Sequence, residues 1–287
     1  MTKDIISSIR ENSAGFSKGQ RAIARYITEN YDKAAFMTAG RLGKTVGVSE
    51  STVVRFATEL GYDGYPGMRK AMQEMVRGRL TSVQRIAAAK DMLDGSNVLK
   101  SVMDSDIDKL RATLEELDRE SFDAAVNAIE NAKHLYIVGM RSSAALASFM
   151  AFYMNFLEEN VRLIHDTTAN EVYEQIMHIG PEDVYIGISY PRYSSSSLKA
   201  MEFAKSRGAS VIALTDNASS PFAAASDIQL YANSDMVSFV DSLVAPMSVI
   251  NALIVAVAER KRDTLAQTFN YLEQLWSEYE VFTTGKS

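Results

Sequence analysis

Thr38-Ala39-Gly40-Arg41-Leu42-Gly43-Lys44-Thr45-Val46-Gly47-Val48-Ser49-Glu50-Ser51-Thr52-Val53-Val54-Arg55-Phe56-Ala57-Thr58-Glu59-Leu60 is the stretch on which the reading of the first part of the chain turns. Thr38 is placed to cap a short helix that carries Leu42 and Val46 four residues apart. Gly47-Val48-Ser49 interrupts it, and Ser49 is placed to cap a second helix to about Leu60. Val53, Phe56, Ala57 and Leu60 follow i, i+3, i+4, i+7 spacing, so they form one apolar stripe that turns inward. Ser51, Arg55 and Thr58 then share the opposite face, with Thr52 at its edge. Two short helices around a glycine turn, the second with a small polar face, predict a helix-turn-helix. Such a second helix fits a major groove about 12 Å wide with its N-terminal residues at the base edges.

Each residue of that element has a chemical use. Arg55 has the donors for guanine O6 and N7, and Ser51 and Thr52 can bond base edges or phosphates. The free N–H groups after Ser49 favour a phosphate, and Arg41 and Lys44 lie on the helix beside which a DNA backbone passes. The same periodicity also fits an ordinary amphipathic helix in an all-α domain, so at this level DNA reading and plain packing both stand. Gly43-Lys44-Thr45 resembles the end of a phosphate-binding loop. Position 38, however, is Thr where that motif requires Gly, and no strand precedes it, so no nucleotide site is expected there.

Working outward, Ser17-Lys18-Gly19-Gln20 fits a capping box ahead of a helix with Ile23, Tyr26 and Ile27. Gly61 suits a helix stop, and Pro66 suits the opening of a helix to roughly Leu80. Residues 1–80 hold 13 Lys/Arg against 8 Asp/Glu, a net of +5, and residues 81–287 hold 17 against 28, a net of −11. This asymmetry suggests a basic module that meets phosphate on an acidic body, or else chance clustering of surface charge. Residues 81–110, broken at Asp94-Gly95-Ser96-Asn97, read as a partly helical linker.

From residue 111 the pattern alternates. Strands are expected at His134–Val138, Val161–His165, Val184–Ile188, Ser210–Leu214 and Ile228–Tyr231, with helices at Ser143–Glu158, Asn170–Ile179 and Ser195–Ser206 between them. That alternation predicts an α/β domain over residues 111–287 with a five-stranded parallel sheet, flavodoxin-like and doubly wound. A helical tail is expected over Val237–Phe282, with Pro246 a kink or restart. Its Leu253, Val257 and Leu265 suit either an oligomer interface or packing on the sheet.

A doubly wound sheet binds ligands beyond the carboxyl ends of its strands, at the switch point. Two strand-to-helix loops have the chemistry for an anion. Gly139-Met140-Arg141-Ser142-Ser143 offers hydroxyls, a helix start and a cation. Ser189-Tyr190-Pro191-Arg192-Tyr193-Ser194-Ser195-Ser196-Ser197 offers the same, with Arg192 suited to a bidentate contact. Serines also cap helices with no ligand at all. No acid–base pair stands out among His134, His165, His178, Glu171 and Glu174, and no metal spacing occurs. No catalytic residue, cofactor or metal is therefore expected.

The composition excludes several classes. The chain has no cysteine, no uncharged apolar run of about 18 residues, and no apolar core after Met1-Thr2-Lys3-Asp4. Val244–Ala258 is short and ends in Glu259-Arg260-Lys261-Arg262. A cytoplasmic protein with no membrane contact is the expectation.

Phe36-Met37-Thr38, Val46-Gly47-Val48-Ser49-Glu50-Ser51-Thr52-Val53-Val54-Arg55-Phe56 and Leu60-Gly61-Tyr62-Asp63-Gly64-Tyr65 resemble the N-terminal domain of RpiR-like transcriptional regulators. The resemblance spans about residues 1–80 and implies that Ser49 to Arg55 form a DNA-reading helix on double-stranded operator DNA. Residues 121–260 are similar to the sugar isomerase-type (SIS) domains that such regulators carry. That likeness implies a phosphosugar-type effector held at Ser142, Ser143, Ser189, Ser194, Ser195 and Ser196, with Gly139, Arg141 and Arg192 beside them. Such domains usually have Ser-x-Ser-Gly after the third strand, whereas Pro191 and Arg192 replace the second Ser and the Gly here. The expected function is regulation of carbohydrate-metabolism genes by a homodimer or homotetramer. A phosphosugar isomerase with an accessory helical domain, or a protein–protein adaptor, are the rival readings.

Overall fold

In the computed structural model, which describes residues 5–76, 81, 83–86, 97–165, 171–236 and 239–282, the chain divides into two units. One comprises Met1–Ser105 with Met236–Asp241, the other Asp106–Asp235 with Ser242–Ser287.

The first unit is helical: α1 Ile5–Asn12, α2 Lys18–Glu29, α3 Tyr31–Ala34, α4 Ala39–Val46, α5 Glu50–Glu59 and α6 Gly64–Val76. The capping box forms as the spacing predicts, with Gln20 N–H donating to Ser17 Oγ and Ser17 N–H donating to Gln20 Oε1. Thr38 and Ser49 cap α4 and α5 through their hydroxyls. Gly47 ends α4 at φ +76°, a left-handed conformation that costs glycine nothing. The stripe of Val53, Phe56, Ala57 and Leu60 is buried, and it meets Ile23, Ile27, Leu42, Met68 and Met72 in one core. α6 opens at Gly64, so Pro66 lies in its first turn, where its missing N–H costs no bond. The expected end near Leu80 lies outside the described residues.

The second unit holds β1 Leu135–Gly139, β2 Val161–Ile164, β3 Val184–Ile188, β4 Ser210–Thr215 and β5 Ile228–Tyr231. All neighbours pair in parallel, in the order β2-β1-β3-β4-β5. Its helices are α8 Arg119–Glu130, α9 Ser143–Met154, α10 Glu171–Ile176, α11 Ser195–Ser206, α12 Pro221–Ala225, α13 Val244–Arg260 and α14 Arg262–Glu278. The preceding helix, α7 Val98–Glu116, starts inside the segment expected as a linker, with Asn97 accepting from Lys100 N–H at its head. Asp94-Gly95-Ser96 and Asn170 lie outside the described residues.

Strand alternation sorts the two faces. Leu135, Ile137, Val184, Ile186, Ile212 and Leu214 face α8, α9 and α13. Tyr136, Val138, Tyr185, Val211 and Ala213 face α10, α11 and α12. Both faces are covered, which is why the central strands read as continuous apolar runs.

The tail departs from the expectation of helix along its whole length, whose first residue, Val237, lies outside the described residues. Met236 pairs antiparallel with Asp241, and helix begins only at Val244, where Ser242 Oγ accepts from Val244 N–H. The Ser and Asp side chains before Val244 compete for backbone bonds and disfavour helix. Pro246 falls in the first turn of α13, so it starts the helix rather than kinking it. Leu253 and Val257 are 1% and 0% exposed within the sheet core, which assigns them to packing and not to an interface.

β1 ends where α9 crosses closely. A Cβ on Gly139 would collide with the Ser143 carbonyl and lie 3.0 Å from the Ala147 methyl. Gly139→Ala is therefore expected to cost about 2 kcal/mol, a fall of roughly 4–8 °C in thermal melting of the purified chain. An unchanged melting temperature would contradict this packing.

Candidate DNA-reading helix and anion crevice

On α5, Ser51, Arg55 and Thr58 are exposed and Thr52 is half-buried, the arrangement that the period of the apolar stripe predicts. Ser49 Oγ lies 2.9 Å from Ser51 Oγ and 2.8 Å from Thr52 Oγ1, so the three hydroxyls cluster at the helix start. Arg55 Nε donates to Ser51 O at 3.3 Å, and Thr58 Oγ1 to Val54 O at 3.2 Å. Arg41 and Lys44 are exposed on α4. Val54, on the same face as Ser51 and Thr58, is also exposed. The spacing 51, 54, 58 carries it, and attention to polar residues alone passes over it.

The α5 helix is tied down from both sides. Gln20, beyond its capping role, donates from Nε2 to the Glu59 carboxylate near the end of α5. Phe16 and Phe56 rings lie 5.2 Å apart beneath it. A Cβ on Gly43 would lie 2.8 Å from Val48 O, so this glycine lets α4 meet the turn before α5. That packing accounts for the glycine of Gly43-Lys44-Thr45 without a nucleotide. Tyr65 Oη donates to Met37 O at 2.9 Å, fixing the backbone just ahead of the Thr38 cap. Burial pushes the Tyr65 phenol up to about 12, against a smaller opposing effect of Arg69.

In the second unit, β1 and β3 are neighbours, and the helices that follow them cover opposite faces: α9 one, α11 the other. In a doubly wound sheet this is the switch point, beyond whose strand carboxyl ends ligands bind. The two sequence-marked loops meet there through Met140, whose Sδ accepts from Ser194 Oγ at 3.3 Å and Ser196 Oγ at 3.2 Å. Ser194 caps α11 by accepting from Ser197 N–H, and its own N–H donates to Ser189 Oγ at 3.4 Å. Ser189 and Ser143 are buried, while Arg141, Ser142, Arg192 and Ser195 are exposed. Ser142 makes no side-chain cap at the head of α9, and Arg141 sits at φ +56°.

Tyr190, Tyr193, Thr215 and Asp216 carry contacts for which the sequence pattern assigns no role. Tyr193 Oη donates to Asp216 Oδ1 at 2.8 Å, and Thr215 Oγ1 donates to the same oxygen at 3.2 Å. Tyr190 is buried, and burial followed by the Asp216 charge pushes its phenol well above the ordinary range. Asp216 follows β4, so the rule of strand carboxyl ends was the signal that could have found it.

The candidate general bases disperse. His134 Nδ1 lies 2.7 Å from Asp183 Oδ1, just before β1 and β3, at the sheet end opposite the crevice. His165, His178 and Glu174 are exposed, and Glu171 is half-buried. Among the described residues no group of three or more His, Asp or Glu could hold a metal ion, and no helix is long and apolar enough to cross a membrane.

Comparison with known proteins matches both units. The helix-turn-helix domain of the rpiR family matches residues 3–77, and the SIS domain matches residues 128–256. A protein of Caldanaerobacter subterraneus subsp. tengcongensis, named as an HTH-type transcriptional regulator, is 26% identical over 277 residues, 94% of this chain and 95% of its own length. The sugar isomerase domain of an RpiR transcription factor from Sphaerobacter thermophilus is 30% identical, with a TM-score of 0.59. That match covers 62% of this chain and 99% of that one. The NanR protein of Vibrio vulnificus, solved in complex with ManNAc-6P, is 21% identical with a TM-score of 0.55, over 94% of this chain and 98% of its own.

The Tyr65 phenol binds its proton more tightly folded than unfolded. Its contribution is therefore complete below about pH 10 and is lost as pH rises to about 12. Urea denaturation across that range should show the natural chain losing about 2–3 kcal/mol more than Tyr65→Phe. An equal loss in the variant would place the alkaline transition elsewhere.

Proposed function

Because this chain belongs to the RpiR family of helix-turn-helix transcriptional regulators with a C-terminal SIS domain, we propose that it is a DNA-binding regulator of carbohydrate-metabolism genes, governed by a phosphorylated sugar or related anionic metabolite. The observation that carries this reading is that one chain joins an exposed, capped reading helix to a serine-lined crevice at two helix starts. The relatives it matches along nearly their whole length are named regulators, and this chain is a regulator and not an enzyme.

In this reading Arg55 donates to guanine and Ser51, Thr52 and Thr58 contact base edges. Ser49, Arg41 and Lys44 hold phosphates. Ser142, Ser143, Ser189, Ser194, Ser195 and Ser196 surround the effector's phosphate together with the α9 and α11 starts. Gly139 keeps the β1 loop close to α9, and Arg141 and Arg192 add charge. Arg192 stands where the family's usual loop has glycine, which favours an effector with a second anionic group. The phosphosugar bound by NanR is the model for its chemistry.

The protein acts in the cytoplasm as a homodimer or homotetramer, since relative placement of two reading helices sets affinity for a two-part operator. Supporting a self-association face, Leu110 and Leu114 of α7, Leu117 just after it, and Ala245, Val249 and Ala252 of α13 line an apolar cleft of about 320 Å³, and Leu114 is 81% exposed.

Mobility shift on DNA upstream of the gene tests the first half. Arg55→Ala should abolish specific binding at about 150 mM salt, and Lys44→Ala should weaken all duplexes and flatten the salt slope by about one unit. Indifference to Arg55→Ala would remove α5 from the interface. Thermal shift with a panel of phosphorylated sugars and sugar acids tests the second half. At least one compound should stabilise the chain, and Arg192→Ala should abolish that shift while DNA binding persists. Steady turnover of a phosphosugar would instead favour an isomerase.

A further inference from the structure

Across residues 5–76 the large apolar side chains are buried or half-covered, with Val54 the one that is exposed, at 38%. A single exposed valine on a surface is ordinary. Its position is not, because Val54 lies three residues after Ser51, four before Thr58 and next to Arg55, in the middle of the face that α5 turns outward. Its polar neighbours on that face are engaged within the helix. Ser51 Oγ is with Ser49 Oγ, Arg55 Nε with Ser51 O, and Thr58 Oγ1 with Val54 O. Val54 offers two methyl groups and no donor or acceptor. The major groove offers one apolar feature, the 5-methyl group of thymine.

We propose that Val54 is a specificity residue that selects a thymine, through its 5-methyl group, within one or two base pairs of the guanine that Arg55 reads. This rests on the reading of α5 as the DNA-contacting helix. The chemistry separates thymine from cytosine at one position. Cytosine in the same place presents no methyl group and places an amino donor beside an alkyl side chain that cannot accept it, so the amino group loses water without compensation.

The experiment uses duplexes enriched by the full chain from a random double-stranded pool. Each thymine of the enriched sequence is replaced singly by 2′-deoxyuridine, which removes the methyl group and leaves every hydrogen-bonding atom in place. For the natural chain, one thymine per half-site should weaken binding about four-fold when so replaced, the weight of one buried methyl group. Val54→Ala should bind the thymine and uracil duplexes equally, and at the same position 5-methylcytosine should bind the natural chain more tightly than cytosine. Val54 is exposed, so the alanine variant should melt with the natural chain, and Lys44→Ala should keep the thymine–uracil difference. Enriched duplexes with no uracil-sensitive position, or a difference that Val54→Ala retains, would overturn the assignment while leaving DNA reading intact. A pool from which nothing is enriched would remove the reading helix itself, and Val54 with it.

Discussion

The second unit depends on one topological constraint. β1 and β3 run side by side in parallel, yet the helices that follow them leave for opposite faces of the sheet. Chains that diverge in this way mark the switch point, where doubly wound sheets bind their ligands beyond the strand carboxyl ends. The starts of α9 and α11 both lie at this end of the sheet, and the partial positive charge of a helix start favours an anion. The proposed effector site places the serines and arginines of the two loops at this end of the sheet. Met140 shows how close the loops come, since its sulfur reaches two hydroxyls of the partner loop.

In the first unit a comparable constraint is the close approach of α4 to the turn before α5. Gly43 permits it, Gly47 reverses the chain, and Ser49 restarts the helix. Gln20 and Glu59 then join the start of α2 to the end of α5, and Tyr65 holds the backbone ahead of α4. These contacts lie behind the exposed face. They explain why a motif of small residues, caps and buried aromatics accompanies an outward face of only a few side chains. Rigidity behind the helix is what gives its outward residues a defined position.

Much of this was legible in the chain itself. Strand positions followed from apolar runs between helical periods, and the caps followed from Ser and Thr at the heads of those periods. The tail was misread because the stretch before Val244 is apolar enough to resemble helix, while the bridge between Met236 and Asp241 joins residues five apart and leaves no periodic trace. Leu253 and Val257 could not be assigned from their own spacing, because a stripe that faces a sheet and one that faces a second chain look alike.

The sequence by itself determined the helical and α/β parts, the parallel sheet and which side chains α5 turns outward, because periodicity, capping and charge are local properties that a linear chain displays. Only the tertiary structure decided which loops share a crevice, that Asp216 and Tyr193 meet at its edge, and that His134 pairs with Asp183 at the opposite end of the sheet. Those relations depend on strand order, which brings residues dozens of positions apart within a few ångströms and has no signature in either segment alone.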